Sequence, residues 1–401
     1  MTRDLRRRAG YGPTMPDTAR FGTLTDFAAR AISRRQLFRG AALLTAGAAL
    51  PLPSEHVLAQ LSDVGRTPDD AVKINANEFP EGPSPSALAA LTAVAQHGNR
   101  YQYPATEALV ATAAEVEGLV PANFAVYPGS SLALHHAVAA LTAPKRALIT
   151  ADPGYEAAAL ATKLSGAPVV RVPLRKDGAH DLKAMLRAAR KQPTGVIYVC
   201  NPNNPTGTIT PRADIDALIA AKPAQTIVLV DEAYIHFCEE PPAVDLVRAG
   251  KDVVVLRTFS KVYGMAGLRA GFAIARPELL ARMTVFNAGA MPVTAMAAAR
   301  AMLLEPDLVR ERKARNAARR TSLMRFFDAH GYAYTPSVSN KLMVDARMPT
   351  AQMIERLKER HVYVGRPWPV WPTHVRVSIG TDEELARFQT AFLEVVESAR
   401  S

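Results

Sequence analysis

The sequence predicts an α/β protein whose large domain is built on a mainly parallel, seven-stranded sheet between helices. From residue 124 onward, short runs that are apolar on both faces alternate with Ala/Leu-rich segments of helical pattern. Such runs are typical of strands that are buried on both sides, as in parallel sheets covered by helices. Abundant alanine, with only 6% aromatic residues, also favours this architecture over an all-β sandwich.

Seven segments are predicted to form the strands of this sheet: residues 124–129, 146–151, 168–174, 195–202, 226–234, 253–259 and 270–275. Helical patterns such as 131–143 and 154–166 lie between most of them. The last two strands are too close in sequence for a helical crossover, which predicts one antiparallel strand. From about residue 292 a long helix leads into a smaller α+β unit.

The N-terminal segment has the pattern of an export signal. A Ser-Arg-Arg-x-Leu-Phe-Arg stretch at 33–39 precedes a short Ala/Leu/Gly-rich run and a cleavage-compatible site after Ala59. This resembles a twin-arginine signal, departing from it at Leu37, and implies an exported or periplasmic protein with no membrane contact once the signal is removed. The alternatives are an Arg-rich amphipathic arm or an uncleaved helix, and a cytoplasmic protein if the leader is not functional.

The predicted organisation has four parts. Residues 1–59 form the export signal, and residues 60–98 form an N-terminal arm with the start of the small domain. Residues 99–290 form the large domain, and residues 291–401 form the small C-terminal domain.

The net charge of +11 does not indicate nucleic-acid binding. Almost half of the excess lies in residues 1–59, and the basic run 310–320 has no interleaved aromatic residues. Cys200 and Cys238 fit neither a disulfide framework nor a metal cluster. The adjacent His135 and His136 would point about 100° apart on a helix, which is poor geometry for a metal, so we interpret them as packing residues.

Polar residues follow several predicted strands at the point where each strand ends. In open α/β sheets, ligands bind beyond the carboxyl ends of the strands. Taken singly, each residue has an ordinary explanation, such as a turn, a helix cap or a surface ion pair. The residues concerned are Ser130, Ser131, Tyr155, Asn204, Asp231, Tyr234, Thr258, Ser260, Lys261 and Arg269.

Together these residue types are the groups that pyridoxal phosphate requires. Its aldehyde reacts with an uncharged amine, which a lysine provides when burial and nearby cations lower its pKa. A buried carboxylate keeps the pyridine nitrogen protonated, so that the ring acts as an electron sink. The phosphate needs backbone N–H groups at a helix start, hydroxyls and an arginine. A substrate carboxylate is best bound by a bidentate arginine.

The chain resembles the fold-type I pyridoxal-phosphate aminotransferases of class I/II, and most of all the histidinol-phosphate aminotransferase branch. The resemblance is carried by NPNNPTG (201–207), DEAY (231–234) and SKxxGxAGLRxG (260–271). Further matches are NANE (75–78), NRY (99–101) and VRVSIGT (375–381). The likeness extends from about residue 73 to the C-terminus.

The resemblance implies a role for each matching residue. Lys261 would form the Schiff base and carry the proton, while Asp231 would bind the pyridine nitrogen. Asn204 and Tyr234 would bind the phenolic oxygen, and Tyr155 would stack on the ring. The phosphate ligands would be Ser130, Ser131, Thr258, Ser260 and Arg269, joined by Tyr101 from the other subunit of a homodimer.

The substrate is less well defined than the cofactor. Arg376 would bind the α-carboxylate, with Asn75 nearby, and Arg366 stands where the branch often binds a distal phosphate. The chain departs from the branch at two positions. Leu132 stands where an acidic residue is usual, and Asn340-Lys341 stands where the branch usually has Asn-Phe. With Trp368 and Trp371 close to Arg366 in sequence, an aromatic or an acidic side chain is also compatible, and the two tryptophans could instead be core residues. Export would make histidinol phosphate a poor substrate.

The leading interpretation is therefore an aminotransferase that exchanges an amino group between an amino acid, or a histidinol-phosphate-like amine, and a 2-oxo acid. An oxidase or lyase with the same cofactor residues is the alternative within the enzyme class. A cofactor-sensing transcription regulator would need a DNA-binding domain, and residues 1–72 have no helix-turn-helix pattern. The sequence does not identify the amino donor or acceptor.

Overall fold

The computed structural model describes residues 64–286 and 288–399. The predicted export signal at 1–59 lies outside the described residues. The strands of the described chain are β1 (Val72–Ile74), β2 (Phe124–Tyr127), β3 (Ala147–Asp152), β4 (Val169–Pro173), β5 (Thr194–Cys200), β6 (Ile227–Asp231), β7 (Val253–Thr258), β8 (Gly271–Ala275), β9 (Lys341–Asp345), β10 (Val362–Val364) and β11 (His374–Ser378).

The α-helices cover the sheet strands and complete the smaller unit. They are α1 (Pro85–Ala95), α2 (Tyr103–Glu117), α3 (Ser130–Leu141), α4 (Ala157–Ser165), α5 (Leu182–Lys191), α6 (Arg212–Ala221), α7 (Val244–Arg248), α8 (Pro277–Thr284), α9 (Val293–Leu303), α10 (Leu308–Ala329), α11 (Thr350–Lys358) and α12 (Asp382–Ser398). None of the helices in this part of the chain is long and apolar enough to cross a bilayer.

The large sheet has seven strands in the order β2-β8-β7-β6-β5-β3-β4. The neighbours from β7 through to β4 pair in parallel, whereas β8 is antiparallel to both β7 and β2. The predicted α/β class, the seven strand segments and the single antiparallel strand are confirmed. Strands β5 to β8 are buried along their whole length, because helices cover both faces of the sheet.

The smaller unit has its own apolar core and two short sheets. Strand β1 pairs in parallel with β10, and β9 pairs antiparallel with β11. Phe327, Phe388 and Phe392 lie at the centre of this core and are fully buried. Strand β1 is held in the smaller unit by its pairing with β10. The segment that follows it, residues 75–79, reaches the large sheet, where the Ala76 carbonyl accepts a hydrogen bond from Lys261.

The basic run 310–320 lies on α10, and its arginines differ in environment. Arg310 is exposed and pairs with Asp307, whereas Arg319 pairs with Glu81 and Asp382. Arg312 is buried and donates to the Val262 and Gly82 carbonyls, so the run is not a uniformly solvated helix face.

His136 is buried and packs edge-on against Tyr127, with 5.4 Å between the ring centroids. This agrees with its interpretation as a packing residue.

Candidate active site

Lys261 lies in the turn that follows β7, at the carboxyl end of the sheet. Its Nζ donates to the Ala76 carbonyl at 3.2 Å and lies 5.7 Å from the centroid of the Tyr234 ring. Burial lowers the pKa of Lys261 to about 8, with the positive charge of Arg376 acting in the same direction and Glu78 opposing it. About a tenth of this amine is therefore uncharged at pH 7.

Asp231 is the last residue of β6, and its carboxylate is held by two donors. The Tyr198 hydroxyl donates to Oδ2 at 2.8 Å, and the Ala233 backbone N–H donates to Oδ1 at 3.1 Å. Burial raises the pKa of Asp231, while these hydrogen bonds and the nearby Lys261 oppose the rise. The two hydrogen bonds therefore fix the Asp231 carboxylate in place and favour its charged form.

A chain of polar contacts joins the two units across the site. The Asn77 side-chain amide donates to the Tyr234 hydroxyl at 3.1 Å and approaches the Asn204 carbonyl oxygen at 3.5 Å. The same Asn204 oxygen accepts a hydrogen bond from Arg376 Nη1 at 2.9 Å, and Arg376 Nη2 donates to the Asn75 carbonyl at 2.6 Å. Arg376 Nε is buried and has no hydrogen-bond partner among the described residues. The two hydrogen bonds use only two of the five N–H donors of the guanidinium, so donors on Nε and on both Nη atoms remain for a ligand.

A concave cradle lies where α3 begins. Gly129, which precedes the helix, has φ of 89°, and a Cβ there would overlap Arg269 Nη2 and lie 2.7 Å from its Cζ. Arg269 Nη1 donates to Ser260 Oγ at 3.2 Å, and Thr258 Oγ1 lies 3.0 Å from the same oxygen. The cradle thus combines a guanidinium, hydroxyls and the free N–H groups of a helix N-terminus, which is the donor set that a phosphate requires.

The two predicted tyrosines of the cofactor site differ in environment. Tyr155 is half-buried, and its hydroxyl lies 3.4 Å from Ser131 Oγ, next to the cradle. Tyr101 is 75% exposed and stacks on Tyr103, with 6.0 Å between the centroids. Among the residues the structure describes, Tyr101 makes no hydrogen bond or ring contact with any other predicted site residue.

The predicted substrate-binding residues Arg366 and Arg376 belong to the smaller unit. Arg366 is buried, with its guanidinium carbon 3.6 Å from the centroid of the Trp368 ring. Arg366 Nη2 lies 2.5 Å from a carboxylate oxygen of Glu156, the residue after Tyr155. The pKa of Arg376 is lowered to about 10, mainly by burial, with the charge of Arg366 acting in the same direction and Tyr234 and Glu156 opposing it.

Four residues in these contacts were not among the predicted site residues: Asn77, Glu156, Tyr198 and Ser378. Asn77 belongs to the NANE stretch, and Ser378 Oγ accepts from its backbone N–H at 2.8 Å. Alternation along β5 could have pointed to Tyr198, because its register partner in β6 is two residues from Asp231. Nothing in the sequence pairs Glu156 with Arg366, which lies 210 residues further along the chain.

These residues fit pyridoxal phosphate. The cradle at Gly129 is closed to any side chain larger than hydrogen, and its donors match a phosphate. The amine of Lys261 and the carboxylate of Asp231 extend from neighbouring strands of the same sheet, as an aldehyde and a ring nitrogen on one molecule would need. Asn204 and Tyr234 present an amide and a hydroxyl between them.

The fold and this set of side chains define an aminotransferase that depends on pyridoxal phosphate. The chain belongs to the class I and II aminotransferase family, which matches residues 69–392. The predicted enzyme class and cofactor are thereby confirmed.

The chain is similar to relatives of two specificities. Histidinol-phosphate aminotransferase 1 of Nitrosococcus oceani is 34% identical over 82% of this chain and 90% of that protein. The aromatic amino acid aminotransferase of Cutibacterium acnes is 35% identical over 82% of this chain and 94% of that protein. The solved structure of histidinol-phosphate aminotransferase from Sinorhizobium meliloti in complex with pyridoxal-5'-phosphate superposes with a TM-score of 0.77 at 28% identity, covering 88% of this chain and 96% of that one.

Proposed function

We propose that this enzyme transfers an amino group between an α-amino acid with an uncharged aromatic side chain and a 2-oxo acid, with Lys261 as the reactive amine. The observation that carries the proposal is the position of Lys261 at the carboxyl end of the sheet, with its Nζ hydrogen-bonded to the Ala76 carbonyl and 5.7 Å from the centroid of the Tyr234 ring. When bound, pyridoxal phosphate supplies an aldehyde that amines attach to and a ring that accepts the electrons left by a broken Cα–H bond. Lys261 Nζ would take the proton from the substrate Cα and deliver it to the carbon that was the cofactor's aldehyde.

The remaining site residues would hold and orient the cofactor. Asp231 would keep a proton on the ring nitrogen, and Asn204 and Tyr234 would donate to the phenolic oxygen. Tyr155, next to the cradle, would stack on the ring. The phosphate would be held by Ser130, Ser131, Thr258, Ser260 and Arg269.

Arg376 is the group that binds the substrate α-carboxylate. Two of its nitrogens are held by Asn204 and the Asn75 carbonyl, so the guanidinium is oriented before a ligand enters. Its unpartnered Nε supports this role, because a buried donor without an acceptor costs about 1–3 kcal/mol until a ligand supplies one. A planar guanidinium suits a carboxylate better than a lysine would.

The pairing of Arg366 with Glu156 favours an uncharged side chain on the substrate. The carboxylate of Glu156 already neutralises this guanidinium, and Trp368 covers one of its faces. A phosphate or carboxylate on the substrate would have to displace Glu156, whereas an aromatic ring can stack on flat groups without doing so. Aromatic amino acid aminotransferases among the relatives agree with this choice.

The test is an absorbance spectrum of the full chain loaded with pyridoxal phosphate, recorded while single amino donors are added without any oxo acid. Phenylalanine and tyrosine should convert the cofactor to its aminated form, with histidinol phosphate and aspartate at least about tenfold less efficient. Glu156→Gln should narrow that preference, since it frees Arg366 for an anion. Conversion by histidinol phosphate alone would contradict the proposed substrate, and oxygen uptake without amination would indicate an oxidase.

We also propose that the enzyme is an exported homodimer in which Tyr101 contributes to the site of the other subunit. The exposure of Tyr101 on the same chain as a complete set of other phosphate ligands supports this arrangement. Sedimentation of the wild type should give twice the chain mass, and Tyr101→Ala should weaken cofactor binding without changing that mass. Fusion of residues 1–59 to a reporter, compared with an Arg34→Lys, Arg35→Lys variant, tests export. A cytoplasmic reporter in both would refute it.

A further inference from the structure

Lys341, the first residue of β9, is a lysine with no exposed surface. Its Nζ donates to Ser339 Oγ at 2.9 Å and lies 3.1 Å from the centroid of the Tyr234 ring. Within the described part of the chain, Lys341 makes no ion pair with a carboxylate. An unpaired ammonium is costly to bury, and burial accordingly holds the pKa of Lys341 well below its ordinary value.

The backbone fixes Lys341 in this place. Gly207, at the end of the Asn201–Gly207 loop, packs so closely that a Cβ there would lie 2.6 Å from the Lys341 carbonyl oxygen. The Ser337 hydroxyl donates to the same carbonyl, and the Val338 backbone N–H donates to the Gly207 carbonyl at 2.9 Å. The amine is therefore held inside the site by the junction of the two units and not by a mobile loop.

Lys341 shares a face of the small sheet with Arg376. In the β9/β11 register Lys341 is opposite Ser378, and Arg376 is opposite Met343. Because side chains alternate along a strand, residues two apart point the same way, and diagonal neighbours lie roughly 7–8 Å apart, within reach of long side chains. Both cations therefore extend from this face towards the same space.

A series of contacts through Tyr234, Asn77 and Asn204 also connects Lys341 with Arg376. Lys341 lies on the ring of Tyr234, whose hydroxyl accepts from Asn77. Asn77 also approaches Asn204, and Asn204 accepts from Arg376. The two cations thus flank one short polar network.

The charged and titratable groups that face Lys341 come from five places in the fold. They are Cys200 at the end of β5, Asp231 at the end of β6, Tyr234 three residues later, Lys261 after β7 and Arg376 on β11. Burial raises the pKa of the Cys200 thiol far above neutrality, so this group brings no charge. Of the groups that act on Lys341, two are basic and the single carboxylate, Asp231, already accepts hydrogen bonds from Tyr198 and Ala233.

We propose that Lys341 is a second cationic contact for the acid group of the substrate, beside Arg376, and that this acid group supplies the counter-charge that the folded chain lacks. The inference rests on the proposed function, because the substrates of that function, amino acids and 2-oxo acids, carry a carboxylate. Entry of the carboxylate stabilises the charged form of Lys341, so ligand binding is accompanied by uptake of up to one proton by this amine.

The experiment uses the holoenzyme and 3-phenylpropanoate, which has the carboxylate but neither an amino nor an oxo group. Calorimetric titration at pH 8 in two buffers of different ionisation enthalpy gives the number of protons taken up. The absorbance of the bound cofactor, recorded at the same ligand concentrations, gives the part due to the cofactor. For the wild type we expect the total proton uptake to exceed the proton uptake by the cofactor, and we call this difference the excess uptake.

Two substitutions at Lys341 separate charge from structure. Lys341→Met should lose the excess uptake and bind 3-phenylpropanoate roughly 10–100-fold more weakly, as expected for a lost charge-assisted hydrogen bond. Lys341→Arg, with a permanent charge, should retain most of the affinity and show no excess uptake. Lys358→Met, on the exposed side of α11, is the matched control and should behave as the wild type.

Excess proton uptake that is unchanged in Lys341→Met would overturn the inference, as would failure of the wild type to bind the carboxylate at millimolar concentration. Thermal unfolding and the cofactor spectrum of each variant show whether it is folded and loaded, and a Lys341→Arg variant that is folded yet no tighter than Lys341→Met would also overturn it. The proposed function is tested separately, since amination by amino acids does not depend on where the proton goes. Amination without excess uptake would refute only the role of Lys341.

Discussion

The two faces of the active site are built on different physical principles. On the large-domain face, Asp231 and Lys261 follow neighbouring parallel strands, and Arg269 closes a cradle at a helix start, so backbone geometry fixes each group. On the small-domain face, Arg366, Arg376 and Lys341 are long cations, and their partners come from distant parts of the chain. The first face suits one invariable cofactor, whereas the second suits substrates that must enter and leave.

The comparison predicts that changes on the large-domain face affect chemistry and cofactor retention, and that changes on the small-domain face affect substrate affinity. Lys261→Ala should have the largest effect, lowering the rate of amination by about 10⁴-fold or more, because both the reactive amine and the proton carrier are lost. Stopped-flow absorbance with a saturating amino donor measures this rate. Lys163→Ala, an exposed lysine of α4, should match the wild type. A loss of less than tenfold would assign the reactive amine to another residue.

Gly129→Ala should weaken binding of pyridoxal phosphate by about 10–100-fold, equivalent to roughly 1.4 kcal/mol per factor of ten. The added methyl would overlap the Arg269 guanidinium, and the φ of 89° at this position is unfavourable for alanine. Titration of the cofactor-free protein followed by absorbance gives the affinity. Gly267→Ala is the control, since a Cβ there meets nothing within 4 Å. Equal cofactor affinities for the two variants would show that the phosphate does not bind in this cradle.

Arg376→Lys should lower kcat/KM for amino donors by about 10–100-fold and leave cofactor affinity within about twofold. The lysine retains the charge but cannot present two parallel donors to a carboxylate. Steady-state kinetics with phenylalanine, together with the cofactor titration above, separates the two effects. Arg325→Lys on the exposed side of α10 is the matched control. Equal losses in substrate and cofactor affinity would break the division between the two faces.

The pH dependence of Lys261 measures how strongly the two faces are coupled. With a pKa of about 8, the amine is protonated and unreactive below that pH, so capture of pyridoxal phosphate by the cofactor-free protein should accelerate up to about tenfold per pH unit and level off above pH 8. Because Arg376 helps to lower this pKa, Arg376→Gln should move the midpoint to higher pH. A midpoint unaffected by Arg376→Gln would show that the small-domain face does not act on the amine.

The large-domain face could be predicted from the sequence to a considerable extent. The seven strand segments are short apolar runs, and in a parallel sheet their ends meet at one edge, so residues at those ends come together without any knowledge of packing. The structure accordingly brings Asp231, Lys261, Asn204 and Tyr234 into one network with Arg376. Tyr198 escaped prediction because a tyrosine within an apolar strand has the pattern of a core residue.

The small-domain face shows what the sequence could not decide. Arg366 and Lys341 were recognisable as unusual residues, yet their partners were not, because Glu156 and Tyr234 are separated from them by 210 and 107 residues. Whether a cation is free for a ligand depends on contacts that form only when the two units pack.

By itself, the sequence determined the fold class and the cofactor and predicted which lysine is the reactive one, because these depend on local periodicity and on motif spacing along single strands and turns. Tertiary structure alone decided that Glu156 neutralises Arg366, that Nε of Arg376 has no hydrogen-bond partner among the described residues, and that the buried Lys341 forms no ion pair with any of them. The physical reason is that charge and hydrogen-bond balance depends on neighbours in space, and these neighbours come from elements far apart in the chain.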